Sequence, residues 1–99
     1  MYIKFEWDIK KAASNLKKHR VSFEIAARVF ADPFAMVVQD HIENGELRWQ
    51  TLAMVEGFLI LLIAHAVKND DAGMETVCII SARRADAKER KRCEENRWF

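Results

Sequence analysis

Two adjacent arginines follow an apolar segment near the end of the sequence and give its clearest chemical signal. Residues 79–82 read Ile-Ile-Ser-Ala, Arg83 and Arg84 come next, and a basic helix is predicted to begin at Asp86. A strand buried in a sheet holds its end rigidly, so both side chains are expected to be fixed in place. A fixed guanidinium is a good phosphate ligand because its planar fork matches two phosphate oxygens. This segment therefore predicts a nucleic-acid partner.

Three further side chains, Glu46, Arg48 and His65, suit the cleavage of RNA. Cleavage through the 2′-hydroxyl requires a base for that hydroxyl, an acid for the leaving 5′-oxygen, and cations for the charge on phosphorus. Histidine suits the first two roles near neutral pH, and fixed arginines suit the third. The sequence has no metal-ligand spacing such as HExxH or paired CxxC, so neither a metal nor another cofactor is predicted.

Each of these residues also has an ordinary structural explanation. A histidine in an apolar strand, such as His65, is more often a hydrogen-bonded core residue. Arg48 could simply pair with Glu46 or Asp40, and Arg84 could belong to a solvated surface or to a face that docks a protein partner. Arg83 is the strongest candidate of the group. Phosphate binding suits Arg83 better than proton transfer does, because a guanidinium scarcely deprotonates.

The chain is predicted to form an α+β fold with the element order βααββββα. Residues 2–7 alternate apolar and polar side chains as a strand does, and Asp8 and Ser22 are placed as the N-caps of two helices, the second ending at Asp32-Pro33. Strands are expected over residues 35–40, 47–55, 58–67 and 76–82, with turns at Asn44-Gly45 and Glu56-Gly57, and a last helix over 86–97.

The lengths of these two turns would fix which residues face each other across the strands. If both turns have two residues, His41 lies opposite Arg48, and Arg48 lies opposite His65. Directly opposed residues share a face of the sheet, so the three would form one polar row. The last strand is then expected to bring Ser81 or Arg83 close to His65. A one-residue bulge in either hairpin would break this register.

Length and composition limit the class of protein. Residues 1–99 are expected to form one domain with a real core, since 51% of the residues are apolar. Two cysteines are too few for a disulfide scaffold, so a reduced, cytoplasmic protein is expected. The longest apolar run, residues 58–67, is half the length of a membrane-spanning helix. The net charge is +4 over residues 1–20, −6 over residues 21–82 and +3 over residues 83–99, so two basic ends flank an acidic middle.

The order and spacing of several short motifs resemble those of the BrnT family of toxins over nearly the whole chain. The opening Phe5-Glu6-Trp7-Asp8 and the segment Val21-Ser22-Phe23-Glu24 match the start of the family pattern. Gly45-Glu46 with Arg48 matches its hairpin. Ile79-Ile80-Ser81-Ala82-Arg83, followed by Glu89-Arg90, matches its closing signature. Cys93 departs from the pattern, because an aromatic residue is common there.

This resemblance implies a RelE-like fold in which N-terminal helices pack on an antiparallel sheet with a basic active face. It implies an endoribonuclease of a type II toxin–antitoxin system that arrests translation and growth. It also implies an antitoxin partner with a ribbon-helix-helix DNA-binding domain. The resemblance implies functional roles for Arg83 and, less directly, Arg84, which lie in the closing signature. It implies the same for Arg48 and Glu46 of the hairpin motif. His65 matches a residue that is frequent in the family.

Two other functions are compatible with the same residues. A non-catalytic module that binds nucleic acid would bind less tightly as salt is added and would leave RNA intact. A subunit that only binds an antitoxin would need no more than a basic, inert surface. Cleavage of RNA by the isolated chain separates the enzyme from both alternatives.

Overall fold

A computed structural model describes residues 3–97 as three α-helices and five strands. Tyr2, the predicted start of the first strand, lies outside the described residues. The elements confirm the α+β class and the order βααββββα. In chain order they are β1 Ile3–Glu6, α1 Ile9–His19, α2 Phe23–Arg28 with a 3-10 turn over Val29–Ala31, β2 Met36–Glu43, β3 Glu46–Val55, β4 Leu59–Asn69, β5 Glu75–Arg84 and α3 Ala87–Glu95.

Side-chain caps fix where the first two helices begin, as the sequence predicts. Asp8 accepts hydrogen bonds from the backbone N–H groups of Lys10 and Lys11, at 2.8 and 3.1 Å. Ser22 Oγ accepts from the N–H of Ile25 at 3.1 Å. These bonds satisfy donors that have no partner inside a helix, so they set the starts of α1 and α2.

Replacing Ser22 by alanine is expected to lower the free energy of unfolding by about 1 kcal/mol, the usual cost of losing an N-cap. Ser14 is exposed within α1 and makes a matched control. Serine-to-alanine at Ser14 should leave stability unchanged or raise it slightly, since alanine is the better helix former. Urea unfolding of both variants checks this, and equal effects at the two positions would contradict the capping role.

The strands form one sheet in the order β1-β5-β4-β3-β2. Strands β2 to β5 follow one another as antiparallel neighbours, whereas β1 pairs in parallel with β5, with Phe5 beside Val77. The sheet is therefore mixed, which corrects the expectation of a wholly antiparallel one. The chain leaves β1 through α1 and α2 rather than through a hairpin, so no turn makes β1 antiparallel to its neighbour.

Helices cover the two faces of the sheet unequally. On the face called here the α1–α2 face, α1 and α2 bury the main core, which includes Phe23, Ala26 and Val29 of the helical segment and Leu61 and Ile63 of β4. Asn15 of α1 joins this face to β5, because its side-chain amide donates to Ala82 O at 2.8 Å and its oxygen accepts from Ala82 N. On the opposite face, the α3 face, α3 covers a smaller cluster of Leu52, Ile60, Ala85 and Cys93.

The turn between β3 and β4 has three residues, one more than predicted. Val55 pairs with Leu59, and Glu56 and Gly57 both adopt positive φ, at 61° and 80°. This moves the register by one residue, so Trp49, rather than Arg48, lies opposite His65. The predicted row of His41, Arg48 and His65 is therefore wrong, since a shift of one residue puts Arg48 on the other face of the sheet.

Two irregularities in the strands also change the predicted contacts. Around the confirmed Asn44-Gly45 turn, Ile42 pairs with Leu47, but the register shifts between Gln39 and Ile42, where His41 lies. Between β4 and β5 a second shift lies at Ala64/His65, so His65 pairs with Ile79, Ala64 with Ser81 and Leu62 with Arg83. The prediction that Ser81 or Arg83 approaches His65 is therefore wrong.

Candidate functional site

The sheet divides the five candidate residues between its two faces. Arg83 lies opposite Leu62, whose side chain packs with the cluster under α3, so Arg83 belongs to the α3 face. Arg84 lies opposite the buried Leu61 and belongs to the α1–α2 face. By the same alternation Glu46 and Arg48 share the α3 face, and His65 shares the α1–α2 face.

Arg83 is held by Glu89 of α3 through a bidentate ion pair. Its two terminal nitrogens lie 2.8 and 3.0 Å from the two carboxylate oxygens, and Nη1 also donates to Arg84 O at 3.2 Å. The hydrogen bond from Arg83 lowers the pKa of Glu89, and Glu89 in turn raises the pKa of Arg83. Glu89 also accepts from the N–H of Asp86, whose side chain caps α3. The guanidinium is therefore fixed relative to both β5 and α3.

Arg48 is held in a similar way between carboxylates on β2 and β3. Its guanidinium lies 3.3 Å from Glu46 and 3.5 Å from Glu43, and 16% of its side chain is exposed. Its Nε is buried and has no hydrogen-bond partner within residues 3–97. Arg48 therefore combines a fixed position with a buried donor that no group of the described residues satisfies.

A second ion pair, which the sequence did not single out, lines the same cavity as Arg48 and Glu46. Lys68 Nζ lies 3.3 Å from Glu6, and Cys78 Sγ donates to the same carboxylate at 3.3 Å. The hydrogen bond from Cys78 lowers the pKa of Glu6 most, and the bond from Lys68 lowers it further. Glu6 in turn raises the pKa of Lys68. Burial raises the pKa of the Cys78 thiol. We call the cavity, of about 380 Å³, the polar cleft, defined by Glu6, Glu46, Arg48, Lys68 and Cys78.

The sequence alone could not show that Glu6 and Lys68 lie close together, because this depends on the order of the strands. Glu6 is a polar residue of an alternating strand and lies directly opposite Cys78, whereas Lys68 follows the apolar run of residues 58–67. This pairing exists only because β1 adds to β5 in parallel, an arrangement that no turn in the sequence indicates.

His65 is a buried histidine on the face opposite the arginines. Only 2% of the residue is exposed, its Nε2 is 2.7 Å from Thr51 Oγ1, and the Phe30 ring meets it edge-on at 5.1 Å. Burial lowers its pKa from 6.5 to about 4, so it is neutral at pH 7. It borders a largely apolar cavity of about 520 Å³ that also touches Phe30 and Trp49. These contacts are those of a hydrogen-bonded histidine in the core.

Arg84 and His41 are exposed and do not line the polar cleft, although His41 and Arg48 lie near the same Glu43 carboxylate. Within residues 3–97, the guanidinium of Arg84 makes no hydrogen bond or ion pair, although its backbone oxygen accepts from Arg83. His41 is close to Asp40, at 2.9 Å, and to Glu43, at 3.5 Å. Among the five candidates in the described structure, Arg48 and Glu46 are the only two whose side chains contact each other.

Another cavity, of about 590 Å³, lies at the end of α3 and has a structural explanation. The buried carboxylate of Asp32 accepts from the N–H groups of Phe34 and Met54, at 2.9 and 2.8 Å, and pairs with Arg97. Asn96 also donates to Phe34 O at 3.1 Å. These contacts join the end of α3 to the segment before β2, as Glu89 joins its beginning to β5.

Two kinds of feature are missing from residues 3–97. They contain no group of three or more His, Cys, Asp or Glu side chains arranged to hold a metal ion. None of their helices is both long and apolar enough to cross a membrane.

The α3 face therefore offers two fixed guanidinium groups along one surface. By the spacing of strands and residues, the backbones of Arg83 and Arg48 lie about 16 Å apart, with Ser81 and Ala64 on the sheet between them. That separation exceeds the size of one phosphate group, so the two arginines suit different phosphates of one strand. A carboxylate beside Arg48 adds a proton acceptor. The arrangement can bind a polyanion and transfer a proton at one end of it.

The chain is similar to known proteins in its sequence pattern and in its fold. The family model described as “Ribonuclease toxin, BrnT, of type II toxin-antitoxin system” matches residues 7–89, which include all five candidate residues and Glu89. The fold is similar to the crystal structure of the Brucella abortus ribonuclease toxin BrnT, with a TM-score of 0.59 and 19% identity over 86% of this chain and 99% of that one. A search of curated protein sequences finds no significant match.

Proposed function

Because the chain belongs to the BrnT family of ribonuclease toxins of type II toxin–antitoxin systems, we propose that it cleaves RNA through the 2′-hydroxyl and so inhibits translation and growth. The observation that supports this most is the pair formed by Arg48 and Glu46 in the polar cleft, on the same α3 face of the sheet as Arg83. A cation fixed beside a carboxylate can bind a phosphate while the carboxylate accepts a proton.

Three residues of the polar cleft take part in the proposed reaction, together with Arg83 outside it. Glu46 accepts the proton of the 2′-hydroxyl, whose oxygen attacks phosphorus as the bond to the 5′-oxygen breaks. The products are a 2′,3′-cyclic phosphate and a 5′-hydroxyl, the latter taking a proton from the Lys68 ammonium. Arg48 neutralises the charge that develops on the phosphate oxygens. Arg83 binds a neighbouring phosphate and sets the position of the strand.

Two of the sequence candidates take no chemical part in this proposal. His65 is buried on the opposite face and neutral at pH 7, so we assign it to packing beside Thr51. Arg84 points to the same opposite face and contributes only to general attraction of RNA. The reaction needs no metal, because Arg48, Lys68 and Arg83 supply the positive charge.

The proposal includes the partner that the family implies. A type II system supplies an antitoxin protein, and we propose that it carries a ribbon-helix-helix DNA-binding domain and forms a hetero-oligomer with this chain. We accordingly propose that the toxin and its RNA substrate meet in the cytoplasm. The outer surface of α3, with its exposed Lys88, Lys91 and Arg92, is available to such a partner.

Incubating the purified full chain with a synthetic RNA is expected to give products ending in a 2′,3′-cyclic phosphate, in EDTA as well as in Mg²⁺. Mass spectrometry identifies those ends. Substituting a 2′-deoxy nucleotide at the cut position should abolish cleavage there, because no nucleophile remains. RNA that stays intact while binding weakens with salt would instead support the non-catalytic module. Cleavage that stops in EDTA would overturn the metal-independent mechanism.

A further inference from the structure

The contacts of Arg83 use a defined subset of its hydrogen-bond donors. A guanidinium has five N–H groups. Nη1 donates to Glu89 Oε1 and to Arg84 O, and Nη2 donates to Glu89 Oε2. The two donors left are the Nε–H and the second N–H of Nη2. These two lie on the same edge of the planar group and point the same way.

The unused edge of Arg83 forms a fork of two parallel donors. Within residues 3–97 neither of these N–H groups has a partner, and 40% of the Arg83 side chain is exposed. A fork of this shape matches two oxygens of one phosphate, as in bidentate arginine–phosphate contacts. The ion pair with Glu89 therefore leaves Arg83 able to bind an anion with two hydrogen bonds.

Glu89 is itself held more firmly than a surface carboxylate. Only 18% of its side chain is exposed, and its Oε1 also accepts from the N–H of Asp86 at 2.9 Å. Asp86 in return accepts from the N–H of Glu89, which completes a capping box at the start of α3. Rotation of the Glu89 side chain would break one half of this box and leave the Asp86 N–H without its acceptor, so Glu89 is held in place and fixes the orientation of Arg83.

We infer that Glu89 is a positioning residue for RNA cleavage, which aims the free edge of Arg83 at one phosphate of the substrate. This rests on the proposed ribonuclease function and names a residue that acts through Arg83 rather than on RNA. The charge of Glu89 opposes the binding of a phosphate nearby, so a carboxylate is unfavourable here for affinity alone. Its benefit is geometric, and it should show in turnover rather than in binding.

The test is Glu89→Gln in the full chain, with Glu95→Gln as the matched control. Glutamine can still accept from the Asp86 N–H and keep the helix cap, but it cannot form the bidentate charged pair. Glu95 is an exposed carboxylate of α3, outside this network. We expect E89Q to lower kcat about tenfold, the size of one charge-assisted hydrogen bond. Its affinity for an uncleavable 2′-O-methyl RNA should stay equal to or tighter than that of the unaltered chain, and E95Q should change neither quantity.

Other outcomes overturn the inference. If E89Q cleaves as fast as the unaltered chain or faster, Glu89 does not position Arg83 for the reaction. If its only change is a lower Tm, or if binding and kcat fall together with Tm, its role is to hold α3 in place. An unaltered chain that cleaves no RNA would instead refute the proposed function, so the two failures are distinguishable.

Discussion

Replacing Arg83 by alanine is expected to lower kcat/KM for RNA cleavage by about 10- to 100-fold, the size of lost charge-assisted hydrogen bonds to one substrate phosphate. Arg83 is the only one of the two adjacent arginines that shares the α3 face with Arg48 and Glu46. Its fixed guanidinium pays no reorganisation cost when the substrate binds. Initial rates on a short fluorescent RNA, measured with chain shown to be folded by circular dichroism, check this.

The neighbouring Arg84 provides the control for this prediction. Arg84→Ala removes the same charge one residue away, but from the opposite face of the sheet, so its effect should stay within about threefold. Arg83→Lys keeps the charge and loses the fork, and it should be impaired nearly as much as Arg83→Ala. Equal losses at Arg83 and Arg84 would show that both arginines only attract RNA by charge.

Local signals in the sequence were enough to predict the elements. Asp8 and Ser22 each place a hydrogen-bond acceptor at the start of a helix, and Asp32-Pro33 ends the second helical segment, because these preferences act within a few residues. The Asn44-Gly45 turn is confirmed for the same reason, since both residues tolerate positive φ. The ion pair of Arg48 with Glu46 was also foreseen as one alternative.

The grouping of the site residues depended on information that local patterns do not contain. Glu56 adopts a positive φ at 61°, and this lengthens the turn before β4 to three residues. That single extra residue separates Arg48 from His65, because side chains alternate between faces with a period of two. The parallel pairing of β1 with β5, which brings Glu6 to Lys68, is set by the packing of α1 and α2 across the sheet. The sequence therefore predicted the contact between Arg48 and Glu46 but wrongly placed Arg48 and Arg83 beside His65.

Acidification is expected to destabilise the fold through His65. Its pKa is about 4 in the folded chain, below the ordinary 6.5, because burial disfavours the charged ring. The unfolded chain therefore binds a proton more readily between these values, and stability falls as pH drops from about 6.5 to about 4. The loss from this group at pH 4.5 is about 2 to 3 kcal/mol relative to pH 7. Urea unfolding at the two pH values measures it.

Comparison with His65→Gln isolates this contribution from the protonation of carboxylates, which both chains share. The variant should lose about 2 to 3 kcal/mol less than the unaltered chain between pH 7 and 4.5. Identical pH dependence in the two chains would mean that His65 does not resist protonation.

The same His65→Gln variant also tests whether His65 takes part in RNA cleavage or only packs in the core. At pH 7 the fold is intact and His65 is neutral on the face opposite Arg48 and Arg83, so the variant should cleave RNA within about tenfold of the unaltered rate. A folded His65→Gln chain without activity would place proton transfer on the α1–α2 face and would remove Glu46 from the proposed mechanism. Retained activity, together with a flatter stability profile in acid, assigns His65 to the core.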